Sequence, residues 1–220
     1  MTSPPAKSHS SRRVGCPFAG AIRAKAPRMR CIHRCQAIVA WMFVAAASAF
    51  AQTPGIAGAP YVPTPTPIVD RMLTLANVGP NDYVIDLGSG DGRLVITAVA
   101  KYKARGGMGV EIDRGLVRHA TDNAEKAGVA DRVKFVEGDL FVADIGQATV
   151  VTLYLIPSMM GQVEAKLAKE LKPGTRVVSH DYPLPSWKPM DVITFETQEK
   201  IPISGTTRTV LLLYRVPEMR

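Results

Sequence analysis

Past Pro67 the apolar residues of this chain alternate between two rhythms. Ile68, Val69, Met72, Leu73, Leu75 and Ala76 recur at helical spacing and stop before Gly79-Pro80, which predicts a helix over 68–76. Tyr83-Val84-Ile85-Asp86-Leu87 is a short apolar run of strand formers. The same reading predicts helices over 93–102, 115–127 and 158–171. It predicts strands over 107–111, 132–136, 148–155, 175–179 and 207–214, with a further one over 193–197. Continuous apolar strands alternating with amphipathic helices imply an α/β fold: a mostly parallel seven-stranded sheet with helices on both faces. No helical pattern separates the last two strands, so an antiparallel pair is expected at the sheet edge.

The front of the chain has a different character. Of the 27 lysines and arginines, eight lie in residues 1–51 (Lys7, Arg12, Arg13, Arg23, Lys25, Arg28, Arg30, Arg34), where there is no acid. The other 19 face all 19 acids, so the net charge of +8 belongs to the leader and the remainder is neutral. A basic pI argues for nucleic-acid binding only when the charge sits on the folded domain, so no nucleic-acid partner is expected. All three cysteines (Cys16, Cys31, Cys35) also lie in front, which excludes disulfides, thiolate metal sites and a cysteine nucleophile from residues 52–220.

Arg28, Arg30 and Arg34 flank the apolar run Ala37–Ala47, and Ala49-Phe50-Ala51 offers a small-x-small cleavage pattern. Residues 1–51 are expected to be a signal peptide or membrane-targeting segment, with translation starting at Met29. An exported, periplasmic or membrane-anchored protein follows; an organelle transit peptide is the alternative. Residues 52–67, rich in Pro, Gly and Thr, read as a linker, and 68–220 as the folded domain.

The chemistry begins at Asp86-Leu87-Gly88-Ser89-Gly90-Asp91-Gly92-Arg93, between the first strand and a helix. Glycines there permit a tight turn and close approach to a ligand. A dinucleotide site needs G-x-G-x-x-G; here Arg93 stands where the last glycine is required. Asp86 and Asp91 flank the turn, and carboxylates repel pyrophosphate. They suit a cofactor with a cationic amino-acid end, such as S-adenosylmethionine. Glu111, at the end of the second strand, can accept hydrogen bonds from ribose hydroxyls. Asp139, after the third, can take an adenine amino group. Three acids at successive strand ends form one ligand rim.

At these residues the sequence resembles class I S-adenosylmethionine-dependent methyltransferases, which implies a Rossmann-like fold. It is similar, more narrowly, to the small lysine methyltransferases of the ATP synthase c subunit and adenine nucleotide translocase, and to their bacterial relatives. Pro60-Tyr61-Val62-Pro63-Thr64, the DLGSGDGR turn, Gly138-Asp139-Leu140-Phe141 and Leu155-Ile156-Pro157-Ser158-Met159-Met160 carry that resemblance. It implies cofactor contacts from Asp86, Gly88, Gly90, Glu111 and Asp139, with Ser89, Asp91, Ile112 and Leu140 beside them. It also implies that Tyr61, Val62, Pro63 and Thr64 help form the substrate side, and that the acceptor is a protein lysine.

Methyl transfer is an in-line displacement, so the protein must align the acceptor, exclude water and free a lone pair. A desolvated aromatic channel lowers a lysine pKa without a dedicated base. Tyr154 is expected to orient the nucleophile, Pro157 to shape the turn, and Asp181 to receive an incoming ammonium. His119 and His180 read as structural, and no metal site is expected. Trp187 either covers the pocket or anchors its loop. A small-molecule acceptor, or a non-catalytic exported nucleoside-binding role, stands as the alternative.

Overall fold

The computed structural model describes residues 61–218. The predicted leader and most of the linker therefore lie outside the described residues. The first helix, α1, spans Thr66–Leu75. It starts inside the stretch read as linker, because Pro65 and Pro67 hold the fixed φ that suits a first helical turn. Then follow β1 (Tyr83–Leu87), α2 (Arg93–Ala100), β2 (Gly106–Glu111), α3 (Arg114–Lys126), β3 (Val133–Glu137) and β4 (Val150–Leu153). A 3-10 turn, Pro157–Met159, leads into α4 (Met160–Glu170). The chain ends with β5 (Arg176–His180), β6 (Asp191–Glu196), the short α5 (Ile201–Ser204) and β7 (Arg208–Arg215).

The seven strands run in the order β3-β2-β1-β4-β5-β7-β6. The first five are parallel to their neighbours, and β7 is antiparallel to both β5 and β6. The expected antiparallel pair thus forms at the edge. The reversed strand is β7, which slots inside the edge strand β6. The order reverses direction between β1 and β4, and ligands of open α/β sheets bind at the carboxyl ends beside such a switch point.

Two apolar layers cover the sheet. On one face α1, α2 and α3 press Ile68, Met72, Leu94, Ala98 and Ala124 onto Val84, Val150, Val178 and Leu211. On the other, α4 packs Met160, Val163 and Leu167 onto Ile85, Val151, Leu153 and Val177, helped by Ile145 and Leu184 from loops. The inner strands β1, β4 and β5 are buried on both faces, which explains their unbroken apolar runs. The edge strands β3 and β6 are half-exposed and correspondingly polar. Among the described residues no helix is long and apolar enough to cross a membrane.

Candidate active site

A cavity of about 760 Å³ opens over the carboxyl ends of β1 to β5. That is room for a nucleoside cofactor and an acceptor side chain together. Its floor is the turn after β1. Gly88 N–H and Ser89 N–H both donate to the Val110 carbonyl, at 2.9 and 3.0 Å, which pins the turn to β2. Gly90 has φ +53°, and a side chain there would collide with the Tyr61 ring lying over it. Gly92 has φ +79°, and a Cβ would run into Phe135 and come within 2.9 Å of the Ala120 Cβ. The last glycine of the motif therefore seats α2 and α3 against the sheet, while the first two let Leu155 and the Tyr61 ring close down on the turn.

Asp86 lines this cavity but is almost wholly buried. Burial pushes its carboxyl up to about 7; the Thr152 hydroxyl, donating at 2.6 Å, opposes this, and the charges of Glu111 and Asp91 add to it. A half-ionised acid waiting at a cavity wall is a receptor for a cation. Asp91 behaves differently. Burial works to raise its carboxyl, but Arg93 outweighs it through hydrogen bonds at 2.5–3.1 Å and its charge, so the net shift is downward. Arg93 also donates to the Thr64 carbonyl at 2.8 Å. One guanidinium thus ties the turn to the segment ahead of α1.

Glu111 accepts from Gly90 N–H at 2.9 Å, Ile112 N–H at 2.9 Å and Asp113 N–H at 3.1 Å. A carboxylate has about four acceptor positions, so this one keeps little to spare for a ribose. It is part of the wall and also the brace between the first two strand ends. Removing it should therefore act twice: Glu111→Ala is expected to weaken S-adenosylhomocysteine binding roughly 10- to 150-fold, the cost of losing charged hydrogen bonds. Calorimetric titration reads this directly, and a change of less than twofold would exclude Glu111 from the site.

Asp139 lines the same wall and accepts from Phe141 N–H at 2.8 Å, with Leu140 beside it. Ile112 offers an exposed apolar face across from them, suited to a flat ring. The Ser89 hydroxyl is buried without a hydrogen-bond partner, and Gly109 leaves room for it, since a Cβ there would sit 2.5 Å from its Oγ. A tight glycine turn with the Asp86 carboxyl beneath it, and exposed Ile112 and Asp139 at the next strand ends, fit S-adenosylmethionine. Among the described residues no group of three or more His, Cys, Asp or Glu could hold a metal.

Tyr61, Val62, Pro63 and Thr64 all line the cavity. Tyr61 lies on the glycine turn beside Asp91. Tyr154 lines the cavity just beyond β4. Burial, then the nearby Asp181 and Tyr182, push its phenol up to about 12, so it stays protonated at neutral pH.

Pro157 opens the 3-10 turn that carries Ser158 and Met159 to the cavity and does not border the cavity itself. Asp181 does not border it either. Its backbone turns left-handed (φ +64°), and its carboxylate folds back onto the Lys200 ammonium and accepts from Val210 N–H at 3.1 Å. An internal lysine already holds the place proposed for a substrate's. Trp187 anchors its loop: its N–H shares the Glu164 carboxylate with Ser186, and its ring meets Tyr214 edge-on at 6.5 Å.

Sequence reasoning missed Tyr182, Ser158 and Gln162, which also line the cavity. Tyr182 was findable as the aromatic next to Asp181 in a loop at a strand's carboxyl end. Gln162 carried no signal, since its place depends on how α4 is rotated on the sheet.

A seven-stranded sheet with a reversed β7, a glycine turn after β1 and carboxylates at successive strand ends define a class I S-adenosylmethionine-dependent methyltransferase. Comparison agrees. Residues 86–191 match the model of the ANTKMT methyltransferase domain. A protein-lysine N-methyltransferase of Saccharolobus islandicus (strain REY15A) is 48% identical over 62% of this chain and 85% of its own length. The adenine nucleotide translocase lysine N-methyltransferase of Mus musculus is 38% identical over 61% of this chain, a match spanning 58% of that relative. An RNA methyltransferase from Salinibacter ruber, solved with S-adenosyl-L-homocysteine, superposes with a TM-score of 0.64 at 48% identity, covering 72% of this chain and 96% of that one. The chain belongs to this family of small methyltransferases, and its cofactor is S-adenosylmethionine.

Proposed function

We propose that this enzyme is a protein-lysine N-methyltransferase. The observation that carries the reading is the lining beyond the cofactor turn: Tyr154 and Tyr182 border the cavity there, and the one basic residue of the whole lining, Arg93, is paired with Asp91. Such a surface gives an incoming ammonium an aromatic wall and offers a phosphodiester no free cation. The names of the lysine-modifying relatives support the same choice.

In this reading Asp86, the Gly88–Asp91 turn, Glu111, Ile112, Asp139 and Leu140 hold the cofactor. When bound, S-adenosylmethionine supplies an electrophilic methyl group on a sulfonium. The Asp86 carboxylate neutralises positive charge at the turn. Tyr61 and the segment to Thr64 roof the turn and exclude water. Tyr154 and Tyr182 close the β4–β5 end with aromatic surface, which desolvates an incoming ammonium and favours its neutral, nucleophilic form. The Tyr154 hydroxyl stays protonated and fixes the direction of the amine lone pair.

The test uses purified protein, methyl-labelled S-adenosylmethionine, and unmodified protein and RNA fractions side by side. The expected result is label in protein, recovered as methyl-lysine after acid hydrolysis. Label confined to RNA, the acceptor class named for the Salinibacter ruber relative, would overturn the lysine assignment. Label in a small molecule alone would do the same.

A further inference from the structure

Tyr154 sits one residue beyond the last paired residue of β4, and His180 is the last residue of β5. Leu153 pairs with Ser179 in the parallel register, so Tyr154 and His180 are the next lateral neighbours on one sheet face. Their rings stack, with centroids 4.0 Å apart and planes inclined by 27°. Tyr154 borders the cavity; His180 lies behind it, fully buried and outside the lining.

The chemistry of His180 is unusual for its place. Neither Nδ1 nor Nε2 has a hydrogen-bond partner among the described residues. The nearest anion, Asp181, lies 3.6 Å from Nε2, and its carboxylate is engaged by Lys200. Burial drives the imidazole down to about 4; the Asp181 charge opposes this and the Lys200 charge assists it. The ring is neutral throughout the physiological range, and its nitrogens make no hydrogen bond to the described residues. An aliphatic side chain would avoid the cost of two unsatisfied buried polar atoms. What an aliphatic side chain lacks is a flat π face.

We propose that His180 is a positioning residue: its ring is the slab that fixes the plane of Tyr154, and through it the acceptor, at the β4–β5 end of the cavity. The backing is itself rigid. The Asp181–Lys200 pair clamps the chain just after His180, and Lys200 also donates to the Arg208 carbonyl at 2.6 Å. The proposal draws on the lysine reading only for the choice of acceptor.

Two variants separate the π face from the rest of the side chain. His180→Leu fills the space without a ring; His180→Phe keeps the ring without nitrogens. Both are expected to melt no lower than the native protein, since both remove orphan polar atoms, and to bind S-adenosylhomocysteine within twofold of it. Methyl transfer to poly-L-lysine should fall five- to tenfold in His180→Leu and stay within twofold in His180→Phe. In a Tyr154→Ala background His180→Leu should cost nothing more. With 3-fluorotyrosine incorporated, the Tyr154 resonance (identified by its loss in Tyr154→Phe) should broaden in His180→Leu, as the ring samples several planes, and keep its native line width in His180→Phe; its chemical shift moves in both through the changed ring current.

Full activity and a native line width in His180→Leu would reduce His180 to filler and overturn the proposal. Equal loss in both folded variants would overturn it in the other direction, by making the nitrogens the working part. The fluorine signal needs no acceptor, so it decides the proposal even where poly-L-lysine is not methylated; that outcome would count against the lysine reading instead.

Discussion

Asp86→Asn is expected to stabilise the unliganded domain above pH 7 while weakening cofactor binding at least a hundredfold. Burial holds the native carboxyl at about 7, against an unfolded value near 4. A carboxyl raised in the folded state contributes its stability in the protonated form. That contribution is complete below about pH 4, is lost as pH rises through 7, and changes no further above it. That difference between the folded and unfolded carboxyl corresponds to roughly 4 kcal/mol as an upper bound. Asparagine stays neutral at every pH and its carbonyl still accepts the Thr152 hydrogen bond. Urea unfolding of both proteins from pH 5 to 8.5 should therefore give curves that diverge up to pH 7 and then run parallel. Cofactor binding should show the converse. The cationic end needs the ionised acid, so native affinity should rise about tenfold between pH 6 and 8, about fivefold of it by pH 7, and then level off, while the variant stays weak and flat. Coincident stability profiles would remove Asp86 as the group that titrates.

The second large effect is structural. Gly92→Ala should lower stability by about 3 kcal/mol or more and the melting midpoint by roughly 10 °C. Two penalties combine there: a positive φ, and a Cβ driven into Phe135 and Ala120 at the junction of α2, α3 and β3. Gly128 separates them, because it shares the positive φ (+67°) but has open space around it. Gly128→Ala should cost only the backbone part, about 1–2 kcal/mol. Thermal unfolding of the two variants compares them directly. Equal losses would mean that the junction yields and that the third glycine serves conformation alone.

How these residues came to be legible differs from case to case. The glycine turn, Glu111 and Asp139 could be read because each follows a strand whose apolar run is continuous, and a parallel sheet puts every such strand end on one edge. Position along the chain and position in the site are then nearly the same thing. Asp181 met the same rule, at the end of β5, and still lies off the cavity. A left-handed turn and a lysine 19 residues downstream took its charge inward. Charge type and strand-end position cannot distinguish an acid offered to a ligand from one used by the fold.

The tyrosines make the same point from the other side. Tyr154 was visible at a strand end, but what sets its plane is a histidine that read as merely structural, reached through lateral strand register. Tyr61 was visible as a motif residue, yet its place over Gly90 depends on Arg93 reaching back to the Thr64 carbonyl.

The sequence by itself determined the alternation of strands and helices, the parallel sheet, the reversed pair at its end and the rim of acids that selects a sulfonium cofactor over a dinucleotide. These follow from periodicity and from chemistry confined to segments of a few residues. Only the tertiary structure decided which charges are spent internally, how deeply Asp86 is buried and which aromatic faces meet. Those depend on side chains brought together from distant segments, and on desolvation, which acts on a group through all of its neighbours at once.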